Sequence, residues 1–246
     1  MSEHGRLRIW GLHAVEAALA NERRVITALH LTDNAERRLA PQIAARRRTR
    51  GRASPRDLER TRGAGAVHGG VGPEVEPLPE ASLADLIARA EASKQLLVVL
   101  DQVTDPHNVG AILRSIAVLG GAGLVMTTRH SPPLSGALAK AASGALELVP
   151  VALVGNLARA LSELGEAGVR RIGLDGEATS RIETEAFPAP SAIVLGAEGR
   201  GLRRLTRELC DDLARIGGDG ALGSLNVSNA AAVALYAAMR RHPGKT

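Results

Sequence analysis

From Lys94 onward, short unbroken apolar runs alternate with stretches of helical spacing, and few architectures accommodate that alternation. Leu96-Leu97-Val98-Val99-Leu100 offers no polar residue to either side of a strand, so both of its faces must be covered. Gly123-Leu124-Val125-Met126-Thr127 repeats the pattern. Strands are expected at 96–100, 123–127, 146–151, 170–174, 191–195 and 213–216, with helices over 109–119, 134–142, 156–167, 202–210 and 229–241. Such an order specifies an α/β fold, a mostly parallel sheet with helices on both faces. A smaller α/β unit comes first. It has a helix after Gly11, a strand over 25–32, a basic helix over 35–48 and a glycine-rich turn and strand over 63–71. Pro73, Pro77 and Pro79 lie among acids and read as connecting chain. The expected division is therefore residues 1–76, a linker over 77–93 that carries a short helix, and residues 94–246.

Composition removes several classes. Cys210 is the only cysteine, so no disulfide scaffold can form within the chain. No run of about 18 apolar residues offers a membrane span, and the first residues lack the apolar stretch of a signal peptide. The expectation is a cytoplasmic protein. Trp10, Phe187 and Tyr236 are the only aromatics, too few for a sheet that stacks a row of bases. No Walker loop and no Gly-x-Ser-x-Gly elbow is present, and no Gly-x-Gly-x-x-Gly follows the strand at 96–100. The seven histidines are scattered, and no metal site is expected.

The charge is uneven. The chain carries +5, but residues 1–62 alone carry +7 and residues 63–93 carry −4. The peak is Arg46, Arg47, Arg48, Arg50 and Arg52, followed by Arg56, Arg60 and Arg62. Such a run reads either as a surface for a polyanion or as a solvated helix face.

Three polar loops follow strands of the larger unit. The first is Asp105-Pro106-His107-Asn108-Val109-Gly110, running into a helix that bears Arg114, with Asn108 placed to cap it. The second is Gly196-Ala197-Glu198-Gly199-Arg200-Gly201, whose glycines permit close backbone approach. The third is Gly223-Ser224-Leu225-Asn226-Val227-Ser228-Asn229, crowded with capping residues before an Ala-rich helix. All follow strand ends of one parallel sheet, which is where such sheets bind ligands.

In this order the three loops resemble the signature motifs of the SPOUT-superfamily RNA ribose 2′-O-methyltransferases. Within it they are most similar to members that methylate a guanosine ribose in the peptidyl-transferase loop of 23S rRNA. Gly11-Leu12-His13-Ala14-Val15 and Gly65-Ala66-Val67-His68 resemble the small substrate-binding domain, similar to a ribosomal protein, that precedes the catalytic domain in many members. The resemblance implies a deep trefoil knot in the C-terminal sheet, an S-adenosylmethionine cofactor bent within it, and a homodimer formed through the last helix. It implies cofactor contacts at Gly196, Ile216 and Leu225, with Leu174, Ala197 and Gly201 nearby. It assigns catalysis to Asn108, Arg114, Glu198, Ser224 and Asn226, with Arg114 working across the dimer. The basic front end would hold rRNA, and Arg46, Arg47, Arg48, Arg50 and Arg52 would contact its phosphates. In the family proposal the arginine is the general base. A guanidinium with a pKa above about 12 is poorly suited to that task, and phosphate binding with stabilisation of the forming alkoxide is the role expected here.

One string departs from the family. Ile216-Gly217-Gly218 stands where members usually carry Ile-Pro-Met, at the adenine loop. That departure keeps open a non-catalytic RNA-binding or ribosome-assembly factor. The other alternative is methylation of a tRNA ribose.

Overall fold

The computed structural model describes residues 7–46, 71–134, 136–184, 187–217 and 224–241. Its first elements are β1 (Leu7–Arg8), α1 (Leu12–Ala20), β2 (Ile26–Leu31), α2 (Asp33–Ala45), β3 (Val71–Val75) and α3 (Leu83–Ser93). Then come β4 (Leu97–Asp101), α4 (Pro106–Leu119), β5 (Gly123–Thr127), α5 (Gly136–Ala142), β6 (Val151–Val154) and α6 (Leu157–Glu166). The last are β7 (Arg170–Leu174), β8 (Ser180–Arg181), β9 (Ser191–Gly196), α7 (Arg204–Glu208), β10 (Asp212–Arg215) and α8 (Val227–Arg241). They fall into two compact units, one of Met1–Pro79 with Pro133–Leu148, the other of Glu80–Pro132 with Val149–Thr246.

The larger unit is built on a seven-stranded sheet in the order β6-β5-β4-β9-β7-β10-β8. Every pairing in it is parallel. β4 and β5 are buried at every residue, as their unbroken apolar runs require. The period of two divides their side chains between the faces. Leu97, Val99, Val125, Ala192 and Val194 pack with Leu86 and Ala90 of α3 and with Leu157, Leu161 and Leu164 of α6. The opposite-pointing Val98, Leu100, Ile193 and Leu195 are equally buried, on the side where α4 and α8 pack together and against the sheet.

From β4 the chain steps outward through β5 and β6, then returns to fill the other side with β9, β7 and β10. The direction therefore reverses between β4 and β9. Because all strands are parallel, their carboxyl ends share one edge, and the loops leaving β4 and β9 diverge there to leave a crevice. Residues 218–223 lie outside the described residues.

Residues 77–93, expected as a linker, are partly core. Ser82 and Asp85 form a reciprocal capping box at the start of α3, with Asp85 N donating to Ser82 Oγ at 3.0 Å. Leu86 and Ala90 of this helix enter the sheet's core.

The smaller unit holds the antiparallel sheet β1-β3-β2 with α1 and α2. It also takes in residues 133–148, which the sequence places between two strands of the larger sheet. A strand was expected over 146–151. Instead Gly144, at φ 94°, starts a single 3-10 turn over Ala145–Glu147, and the strand begins at Val151. The reason is tertiary. Glu147 turns inward to Arg24, whose Nη2 lies 2.6 Å from its Oε1 with both side chains at most 3% exposed. Arg24 Nε also reaches the carboxylate, Nη1 donates to Glu76 O at 2.8 Å, and Asn21 Nδ2 donates to Glu147 Oε2 at 2.8 Å. Every partner of the pair is thus supplied by the protein, the condition for two charges to stay out of water.

Removing one member of such a pair leaves a buried charge without a partner, which costs about 3–5 kcal/mol. Glu147→Ala is expected to lower the denaturant midpoint by that order. An Arg24→Met, Glu147→Leu double variant should recover most of the loss. Equal losses in the single and double variants would show that packing, not the stranded charge, sets the penalty.

Candidate functional site

α4 begins where β4 ends. Asp105 caps it, its Oδ1 accepting from His107 N at 3.1 Å, and Pro106 takes the first helical position, where no N–H is needed. Asn108 was expected to be this cap. With Asp105 in that place, the Asn108 amide is released, and it lies 7% exposed as the third residue of the helix.

α8 begins after the third loop, and Asn226 caps it. Asn226 Oδ1 accepts from Ser228 N at 2.9 Å and from Ser228 Oγ at 2.6 Å. An amide whose oxygen faces two donors must turn its NH2 the other way. Asn226 Nδ2 accordingly donates to Asn108 Oδ1 at 3.1 Å and to Glu198 Oε1. One side chain therefore joins all three loops. The same bonds fix what is left over: Asn108 keeps its NH2 donors and Glu198 keeps Oε2 as an acceptor.

Glu198 is held by the tightness of its own loop. Gly201 N donates to Ala197 O at 2.9 Å, and these residues form an isolated antiparallel bridge. A Cβ on Gly196 would lie 2.0 Å from Gly201 C and 2.3 Å from Leu202 N, so the close approach expected of this glycine is to the loop's own backbone. Gly201, at φ 65°, takes the left-handed conformation that closes the turn. The loop is then pinned to β4. Asp101 is 1% exposed at the end of that strand. It accepts from Arg203 N at 3.1 Å, Arg203 Nε at 2.6 Å and Thr206 Oγ1 at 2.7 Å. Sequence reasoning missed this anchor, although an acid closing an apolar run was the available signal.

Beside this network an open cleft is lined by Leu174, Leu195, Gly196, Ala197, Gly201, Ile216, Leu225 and Val227, with Glu198 and Ser224 also on its wall. All six positions named for cofactor contact are in that lining. Leu225 leaves 49% of its surface exposed there. Asp175, which sequence reasoning did not single out, also faces the cleft and pairs with Arg207, Nε to Oδ2 at 3.0 Å. The loop after β10 keeps Ile216 in place through Arg181, whose Nη2 donates to Gly217 O at 2.6 Å. Cys210 takes no part: burial pushes its thiol up to about 12.

Two expectations fare differently. Arg114 is exposed on α4. It stands six residues past Asn108, about 9 Å along the axis and about 120° around it, and among the described residues its side chain makes no hydrogen bond or ion pair with Asn108, Asn226 or Glu198. Arg46, expected at phosphates, instead closes the end of α1. Its Nη1 donates to the carbonyls of Ala18 at 2.5 Å and Leu19 at 2.7 Å, and its Nη2 to that of Arg24. Those contacts correct the reading of Arg46, because the helix end offers it unsatisfied carbonyls. Arg47, Arg48, Arg50 and Arg52 lie outside the described residues. Among the described residues no group of three His, Cys, Asp or Glu could hold a metal, and no helix is long and apolar enough to cross a membrane.

Residues 95–236 match the family model described as the SpoU rRNA Methylase family, and residues 8–81 match one described as RNA 2′-O ribose methyltransferase substrate binding. The chain is 40% identical over 238 residues to the 23S rRNA (guanosine-2′-O-)-methyltransferase RlmB of Photobacterium profundum, covering 95% of this chain and 97% of that protein. It is 42% identical to the protein of that name from Vibrio cholerae, covering 95% and 96%. The crystal structure of the SpoU methyltransferase AviRb from Streptomyces viridochromogenes, in complex with AdoMet, shares the fold with a TM-score of 0.80 at 24% identity, over 98% of this chain and 92% of that one.

The crowding at Gly196 gives a direct test. Gly196→Ala cannot be accommodated without opening the loop, and overpacking of this kind costs about 1–3 kcal/mol. The Gly201 amide should lose its protection from hydrogen exchange, while amides of β4 and β5 keep theirs. Unchanged protection at Gly201 would show that the loop tolerates the methyl.

Proposed function

Because the chain belongs to the SpoU rRNA Methylase family, we propose that it is an S-adenosylmethionine-dependent enzyme that methylates the ribose 2′-hydroxyl of a guanosine in 23S rRNA. The observation that carries this reading is the single amide of Asn226, which ties Asn108 and Glu198 together beside the glycine-walled cleft. The cleft fits the cofactor chemically. Leu174, Leu195, Ile216 and Leu225 offer apolar walls to the adenosine, and Gly196, Ala197 and Gly201 offer backbone groups with little side chain to obstruct them. When bound, the cofactor supplies an electrophilic methyl group on a sulfonium.

The remaining work falls to the chain. Asn108 Nδ2 donates to the nucleotide and Glu198 Oε2 accepts from it, both already aligned by Asn226, so little ordering remains when RNA arrives. Ser224 shapes the rim between cleft and ribose. Arg114 binds the adjacent phosphate and stabilises the alkoxide that forms as the hydroxyl loses its proton. It does so from a second copy of the chain. On α4, Arg114 and Val118 are one turn apart on one exposed ridge, and Val118 is 82% exposed. On α8, Val233, Tyr236 and Met239 are exposed at helical spacing, and α8 packs on α4. A homodimer would cover these apolar groups and carry Arg114 to the partner's loops. The smaller unit grips the rRNA in the cytoplasm, with Arg47, Arg48, Arg50 and Arg52 as phosphate contacts.

Purified protein, S-adenosylmethionine and 23S rRNA test the reading, with mass spectrometry of ribose methyls as the readout. The wild type should yield 2′-O-methylguanosine. Asn226→Ala should cut the rate by about 100-fold, the order expected when catalytic groups shift by an ångström. Transfer to tRNA alone, or none at all with the cofactor bound, would overturn it. Mixing Arg114→Ala subunits with Asn226→Ala subunits tests the dimer. Activity should reappear in the mixture, since one site then draws an intact residue from each chain. No recovery would return Arg114 to its own chain's site.

A further inference from the structure

Arginines of the larger unit are mostly neutralised where they stand. Arg159 pairs with Glu163, Arg170 with Asp212, Arg171 with Asp211, and Arg204 with Glu208. Arg203 is taken by Asp101, and Arg207 by Asp175. Arg89, Arg114, Arg129, Arg200 and Arg240 break the pattern, and of these only Arg129 and Arg200 stand on loops, the others being on helices. Arg129 and Arg200 are exposed, and neither has an ion-pair or side-chain hydrogen-bond partner among the described residues.

Their positions share a logic. Arg129 stands two residues beyond β5, and Arg200 stands in the loop that leaves β9. β5 and β9 are the two neighbours of β4, so their carboxyl ends lie about 10 Å apart with the α4 amino terminus between them. Neither arginine is on a slack segment. Thr127 Oγ1 donates to Arg129 O at 2.5 Å and lies 3.3 Å from Ser131 Oγ, while Thr128 N donates to Val154 O at 2.9 Å. Arg200 sits inside the turn closed by Gly201 N and Ala197 O. The acids nearby are committed elsewhere: Asp101 to Arg203, Asp105 to its helix cap, Asp175 to Arg207 and Glu198 to Asn226. What the two arginines offer at this edge is unused forked donors, beside a helix whose amino end adds partial positive charge. Arginine's fork matches phosphate oxygens two at a time.

We propose that Arg129 and Arg200 are an RNA-backbone clamp on the catalytic unit itself, holding phosphates on either side of the nucleotide seated at Asn108 and Asn226. The inference rests on the RNA-methylating reading above, and it gives the larger unit a share of RNA affinity that does not depend on the Arg46–Arg62 stretch.

The test is the salt dependence of RNA binding by the full-length protein, measured by anisotropy with a fluorescein-labelled single-stranded RNA of mixed sequence. Each phosphate contact with single-stranded RNA contributes about 0.7 to the slope of log affinity against log salt. Arg129→Ala with Arg200→Ala should flatten the slope by about 1.4, so that the wild type loses about sevenfold more affinity than the variant between about 50 and 200 mM salt. Arg129→Lys with Arg200→Lys keeps both charges and should keep the slope. Calorimetric titration with S-adenosylmethionine checks that both variants retain the cleft. An unchanged slope in the alanine variant overturns the clamp, and so does a flattened slope in the lysine variant. Methylation of 23S rRNA by the wild type is read separately, so a failure of the enzymatic reading is distinguishable from a failure of the clamp.

Discussion

A primary amide has one acceptor and two donors, and at Asn226 the protein uses both kinds at once. The oxygen caps α8, and the nitrogen reaches Asn108 and Glu198. Neither half would suffice alone. Without the cap the amide could rotate, and the two residues it orders would present donors and acceptors in no fixed sense. Without the long-range bonds the cap would be an ordinary helix start. Aspartate could cap equally well but could not donate, and it would set a second carboxylate against Glu198. The chemistry of the site thus depends on a secondary-structure signal that also has tertiary partners.

Two buried carboxylates fix position, each within its own unit. Asp101 fastens the loop after β9 to the end of β4, so Glu198 is offered from a fixed base. Glu147 fastens residues 133–148 into the smaller unit by way of Arg24. In each case an acid stands where apolar sequence would lead one to expect none, and each acid has its full set of donors. Such arrangements are costly when half-satisfied and specific when complete. Both residues act on position, one for a loop and one for a crossover.

The parallel sheet was legible because β4 and β5 are apolar on both faces, and burial on both faces is what those strands show. The cleft lining was legible because the resemblance names positions, and those positions converge at strand ends. Three things were not legible, each for a physical reason. The cap of α4 fell to Asp105 because several residues there can cap, and only tertiary demand on Asn108 decides among them. Arg46 read as a phosphate contact because a charge run carries no information on which of its members meets a helix end. Residues 146–151 read as a strand because Leu146, Leu148 and Val149 fit one locally, whereas Glu147 is drawn away by a partner 123 residues distant.

The division of cations follows from the same reasoning. An arginine already held by a carboxylate must give up that partner to bind phosphate, and the exchange gains little. An arginine held by nothing gives up only water and counterions, and release of those counterions is what drives association with RNA. The larger unit keeps many of its arginines paired, while Arg114, Arg129 and Arg200 are among those left exposed and unpaired. Arg129 and Arg200 are fixed by backbone at the carboxyl edge, where charge can act without movement. Arg114 is on a helix face beside exposed apolar groups, where it becomes useful only if a second chain arrives. On that reading RNA binding and catalysis are separable. If Arg114 acts from a second copy as proposed, a single chain can hold the backbone while the cation for the alkoxide comes from its neighbour, and dimer formation would control chemistry more tightly than affinity.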